Sequence, residues 1–97
     1  MVTYVILMNL TEQGVKNIKE APARLAGVAK ALEAAGGKLH AFYMVLGPYD
    51  YVAIAEAPSD EVALGQLLAL GMQGNVRTVS LKAFKVEEFA EILKKLP

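Results

Sequence analysis

Residues Val2 to Met8 carry apolar side chains at both alternating parities, with Tyr4, Ile6 and Met8 on one and Val5 and Leu7 on the other. The run is β-branched, aromatic and aliphatic, and Asn9 closes it, so a strand is predicted here. Strand side chains alternate between the two faces of a sheet. A strand apolar on both therefore has to be covered on both. One layer of helices supplies only half of that cover.

The remaining elements follow from capping residues and periodicity. Thr11 is a good helix N-cap, and Glu12 in the first turn suits the helix dipole. Val15, Ile18, Pro22, Leu25, Val28, Ala29 and Leu32 keep helical phase as far as Gly36-Gly37, which stop it. Pro22 lacks an amide hydrogen, so a kink or break is expected around Lys19 to Pro22. Lys38 to Leu46 and Tyr51 to Ala57 read as two more strands, joined tightly through Gly47-Pro48-Tyr49-Asp50 as a hairpin. Ser59 caps a second main helix, whose leucines are expected in the core and which stops near Gly71 to Gly74. Val76 to Phe84 is a fourth strand. Glu87-Glu88 opens a short tail helix with Phe89, Ile92, Leu93 and Leu96 on one side.

The order β-α-β-β-α-β-α is the ferredoxin-like split βαβ pattern plus a C-terminal helix, an α+β fold with a four-stranded antiparallel sheet. Ninety-seven residues make one domain, spanning 1–97. Both main helices cover one sheet face, and the sheet of another subunit is the simplest cover for the other. The 55% hydrophobic content supports a homodimer or higher homo-oligomer, because apolar surface beyond one small core usually finds a partner. Ten basic and ten acidic residues cancel, which argues against nucleic acid and against anionic membranes as partners. Cysteine is absent, excluding disulfides and thiolate chemistry. No signal-peptide or membrane-span pattern is present, so a cytoplasmic location is expected.

The segments Thr11-Glu12-Gln13-Gly14, Gly47-Pro48-Tyr49-Asp50, Tyr51-Val52-Ala53-Ile54 and Gly74-Asn75-Val76-Arg77-Thr78, in that order and spacing, resemble those of GYD domain proteins. The resemblance spans about the whole chain. It implies the dimeric α/β-barrel architecture, in which two ferredoxin-like sheets pack face to face, and it implies no particular activity. The hairpin is also similar to that of the effector-binding domain of Lrp/AsnC-type regulators. The helix-turn-helix of a full regulator is missing here, so this likeness points to a small-molecule module and away from DNA.

Among residues able to carry chemistry, Asp50 reads first as a turn aspartate bonded to backbone amides, and second as a general base or ligand partner. Gly47 serves backbone geometry. His40, the single histidine, falls by alternation on the face opposite Ala41 and Tyr43, and no metal-ligand spacing accompanies it. Tyr4, Tyr43, Tyr49 and Tyr51 suit a core or interface with a polar tip, or else a pocket lining. Arg77 could hold a carboxylate or phosphate, its plainer use being an exposed ion pair. No nucleophile, base and orienting group can be assembled from these residues. The expectation is a cofactor-free, metal-free, oligomeric small-molecule binding or sensory module. Its candidate ligand residues are Gly47, Tyr49, Asp50, Tyr4, His40, Tyr43 and Arg77. The alternatives are a cofactor-free enzyme of isomerase or monooxygenase type, which the architecture implies by analogy only, and a purely structural subunit.

Overall fold

The computed structural model describes all 97 residues, Met1–Pro97. In chain order they form β1 (Val2–Leu10), α1 (Glu12–Lys16), a 3-10 turn (Ile18–Glu20), α2 (Ala21–Ala34), β2 (Lys38–Met44), β3 (Tyr51–Ala57), α3 (Asp60–Met72), β4 (Val76–Ala83) and α4 (Val86–Lys94). The strands lie in the order β2-β3-β1-β4, every neighbour antiparallel. This is the ferredoxin-like fold with one added helix. No helix is long and apolar enough to cross a membrane.

Local chemistry explains most boundaries. The Thr11 hydroxyl accepts from the Gly14 amide at 3.1 Å and caps α1. The first helical stretch breaks at Asn17, earlier than the expected Lys19 to Pro22. A 3-10 turn leads into α2, where Pro22 sits in the first turn and its missing N–H leaves no bond unmade. The Ser59 hydroxyl accepts from the Val62 amide at 3.3 Å and caps α3.

The helix-covered face buries Tyr4, Met8, Tyr51, Ala53, Ala55 and Ala57. The opposite face carries Val5 and Leu7 of β1 between Val52 and Ile54 of β3 and Val79 and Leu81 of β4. Ile54, Val79 and Leu81 are 36%, 48% and 49% exposed, so the second apolar parity of β1 has no cover within the chain.

Four further expectations need correction. β2 ends at Met44, not Leu46, and the hairpin is a wider loop closed by the Val45 amide on the Asp50 carbonyl at 2.9 Å. β4 ends at Ala83, one residue before the expected Phe84. Leu64 and Leu68 of α3 are not core: they point outward with Met72, all well exposed. Their spacing of four places them on one outer stripe. His40 is not opposite Tyr43. Leu39 pairs with Ala55 and Ala41 with Ile54, so His40 is the extra residue of a bulge. A bulge resets strand parity. Phe42 and Met44 thereby join Leu39 toward the helices, while His40 meets Glu56, which shares its sheet face with Ile54.

Candidate functional site

The segments that carried the family likeness converge at one end of the sheet, around the last residues of β1. Asp50 continues the β1–β3 ladder beyond its last strand pair. Its amide donates to the Met8 carbonyl at 2.9 Å, and its carboxylate accepts from the Leu10 amide at 2.8 Å. A side chain thus stands where a strand carbonyl would otherwise be. On the other side of β1, the Thr11 amide donates to the Asn75 carbonyl at 3.0 Å and its hydroxyl donates to the Gly74 carbonyl at 2.5 Å. The Gln13 amide nitrogen donates to the Gln73 carbonyl at 2.8 Å and to the Asn75 Oδ1 at 3.0 Å. The chain closes so tightly here that a Cβ on Gly14 would lie 2.1 Å from the Asn75 carbonyl oxygen.

This clasp frames a cleft of about 330 Å³ on the helix side of the sheet. Met8, Tyr51 and Val76 contribute from the strands, Leu25 and Val28 from α2, and Leu70 from α3. Eleven of the fifteen lining residues are hydrophobic. The remainder are Pro22, Arg24, Gln73 and Asn75, so Arg24 is the one charged group. The cleft is open to solvent on one side, so its apolar lining is exposed surface rather than packed interior. Farther along the sheet, Ala53, Ala55 and Ala57 of β3 give a low surface, above which a narrower void of about 60 Å³ reaches toward Tyr4. Phe42 and Tyr51, with ring centroids 5.1 Å apart, belong to the wall of the cleft.

The opposite end of the sheet carries two charge clusters. Glu56 accepts from the Lys85 Nζ at 3.2 Å and lies 2.6 Å from the His40 Nε2, and these hydrogen bonds hold its carboxyl below the usual range. The Tyr4 hydroxyl donates to Asp60 at 2.5 Å, and Asp60 also accepts from the Lys82 Nζ at 3.0 Å. The bond from Tyr4, then that from Lys82, lowers the Asp60 carboxyl. Burial, reinforced by Asp60, pushes the Tyr4 hydroxyl up to about 12. Nowhere do three His, Asp or Glu side chains cluster as metal ligands would.

The seven sequence candidates do not form one site. Gly47, Tyr49 and Asp50 lie in the hairpin loop, and the Asp50 carboxylate is bonded to backbone. Tyr4 faces the helices and borders the narrow void. Tyr43 and Arg77 lie on the uncovered face, where Tyr43 is 62% exposed and Arg77 forms no ion pair. His40 is at the far end with Glu56. None of the seven lines the large cleft. Arg24 went unnoticed because nothing local distinguishes it from a solvated helix arginine. The one signal was Pro22, which marks the first turn of α2, and residues of that turn border the cleft.

Comparison with known proteins places these features in context. The GYD domain family profile matches residues 4–93. A Thermus thermophilus protein described as a glutamine synthetase and cystathionine beta-lyase binding protein is 35% identical over 95 residues, covering 97% of this chain and all of the relative. Among solved structures, a feast or famine regulatory protein from M. tuberculosis, complexed with L-methionine, superposes with a TM-score of 0.67 at 20% identity over 88% of this chain. A leucine response regulatory protein from Mycobacterium tuberculosis gives 0.57 at 18% identity over 87%. The chain spans about half the length of each regulator, 51% in both cases.

Proposed function

Because the chain belongs to the GYD domain family, we propose that it works as an oligomeric small-molecule binding module with the helix-side cleft as its binding site. The observation that carries this is the cleft itself: about 330 Å³, apolar, with a few polar groups in its lining. Ligand sites of folded domains have that size and that lining. The regulator of similar fold was solved with L-methionine, an apolar amino acid, which supports a binding role for the architecture. The assembly proposed is a homodimer through the uncovered sheet face, where Val5 and Leu7 need a second layer. Screening apolar amino acids and aliphatic acids by thermal shift tests the site. A Val28→Trp variant, which fills the cleft, should abolish any shift that the parent shows. A shift retained in full by that variant would place the ligand elsewhere.

A second reading is favoured by two observations together. The 35% identical relative is described as binding two metabolic enzymes, and α3 presents Leu64, Leu68 and Met72 outward without a partner. On this reading the module docks on an enzyme through α3. Comigration of the purified chain with glutamine synthetase in gel filtration, lost on Leu68→Glu, would support it. Independent elution of the two proteins at micromolar concentration would count against it.

A further inference from the structure

We infer that the cleft takes an amphiphilic monocarboxylate: an aliphatic chain among Leu25, Val28 and Leu70, with its carboxylate on Arg24. The inference rests on the cleft being a small-molecule site and adds the class of ligand. Arg24 is the one charge in the lining, and its side chain is only 22% exposed. Its protein partners use one nitrogen. Nη1 donates to the Asn17 carbonyl at 3.1 Å and approaches Glu20 at 3.4 Å. The guanidinium is thus anchored while its Nε and Nη2 donors carry no protein bond. Those two form the parallel pair that matches a carboxylate in a bidentate fork.

Glu20 does not fill that role. Its carboxylate is 72% exposed and sits at the long end of contact distance, the kind of surface pair that contributes little. Asn75 supplies a second polar group in the lining. Its Oδ1 accepts from Gln13, which fixes the amide so that Nδ2 remains a donor without a protein partner. Arg24 and Asn75 thus offer donors, which select an acceptor on the ligand. The Gln73 side chain, also without a protein partner, can turn its amide to donate as well. The lining holds no carboxylate to receive an ammonium, only the Tyr51 hydroxyl and side-chain carbonyls. The volume, about eleven times a water molecule's share of liquid, accommodates on the order of ten non-hydrogen atoms. Octanoate is of that size.

Titration calorimetry and thermal shift on the full chain, with octanoate, octanol and octylamine as probes, test the assignment. Octanoate should bind more tightly than either control. Arg24→Gln should weaken octanoate by about tenfold or more, the worth of a charge-assisted bond pair, and leave octanol unchanged. Glu20→Gln should strengthen octanoate, since it removes a like charge beside the carboxylate. Should Arg24→Gln fail to fold, the Nε–H resonance of Arg24 in the parent gives the same answer by shifting on octanoate and not on octanol. Equal affinity for octanoate and octanol, indifferent to Arg24, would overturn the carboxylate assignment and leave an apolar ligand site standing. Binding of none of the three would overturn the assignment and the small-molecule reading of the cleft together.

Discussion

Asp50 shows what one residue contributes to this fold. Its carboxylate accepts the Leu10 amide, a donor that would otherwise be left at the end of the β1–β3 ladder. Asp50→Ala should cost about 1–3 kcal/mol, the penalty for orphaning a partly buried donor, while Asp50→Asn keeps an acceptor and most of the stability. Chemical denaturation of the two variants checks this, and equal midpoints for Asp50→Ala and the parent would refute it. That an aspartate here bonds backbone was legible from turn chemistry. The partner, forty residues earlier in sequence, was not, because turn propensity describes only near neighbours. Gly47, at φ +128°, has nothing within 4 Å of where a Cβ would lie. Gly47→Val should therefore lose about 1–3 kcal/mol through backbone strain alone, read as a lower midpoint with unchanged ligand-free spectra. The charge clusters set the pH response. Glu56 and Asp60 have lowered carboxyls, so their contribution is fully present at neutral pH and is lost as pH falls through the acid range. Tyr4 is raised to about 12 from 10.0, so its contribution is present below pH 10 and is lost toward 12. Melting temperature against pH should fall at both ends. In a Tyr4→Phe variant the alkaline fall should shrink, and an unchanged alkaline limb would contradict the assignment.

Elements were legible where period and caps agreed, and illegible where a single residue reset the phase. β1, α2 and β3 follow their patterns, and Pro22 takes the first turn of α2 as its chemistry allows, although the helical stretch already breaks at Asn17. β2 does not follow simple alternation, because the His40 bulge inserts one residue and turns Phe42 toward the helices. No local composition announces such a bulge. In α3, apolar residues occur nearly all round the helix, so sequence could not say that Ala63, Leu67 and Leu70 face inward while Leu64 and Leu68 face out. The cleft was missed for a related reason: it depends on where α2 and α3 lie over the sheet, and packing of that kind has no sequence period. The clasp between α1 and the start of β4 yields a paired test. Gly14→Ala places a Cβ against the Asn75 carbonyl and must break the Thr11–Asn75 bond, costing about 1–3 kcal/mol or more. Gly27→Ala, in α2 with nothing within 4 Å, should instead stabilise by about 0.5–1 kcal/mol. Thermal melts of the two should move in opposite directions, and a harmless Gly14→Ala would mean that the clasp is looser than its distances indicate.

At the scale of the molecule, the chain is too extended to have satisfied its own apolar surface. Its radius of gyration is 14.8 Å, against the roughly 12.5 Å expected of a compact domain of this length. Helix α4 accounts for much of this. All of its residues are exposed, with Phe89, Ile92 and Leu93 between 45% and 55%. The uncovered sheet face has a simpler geometry. Ala41, Ile54, Val5 and Leu81 form one apolar row across the four strands, and Tyr43, Val52, Leu7 and Val79 form the next. Asn9 and Arg77 border these rows at one end, and Thr3 and Glu56 at the other. A flat apolar patch with polar ends is self-complementary under a two-fold axis, so a second copy can cover it without any new surface. The expected particle in sedimentation velocity at micromolar concentration is a dimer or a multiple of it, with at least ~1,000 Å² buried in total. Leu81→Glu is the discriminating variant. At 49% exposure its side chain tolerates a charge in the monomer, whereas across a two-fold it places two carboxylates in an apolar interface. The variant should sediment as a folded monomer with unchanged far-ultraviolet dichroism. A parent that stays monomeric at all concentrations would defeat the dimer outright. A dimer that survives both Leu81→Glu and Val79→Glu would move the interface to α3 or α4, and the second apolar parity of β1 would then need another explanation.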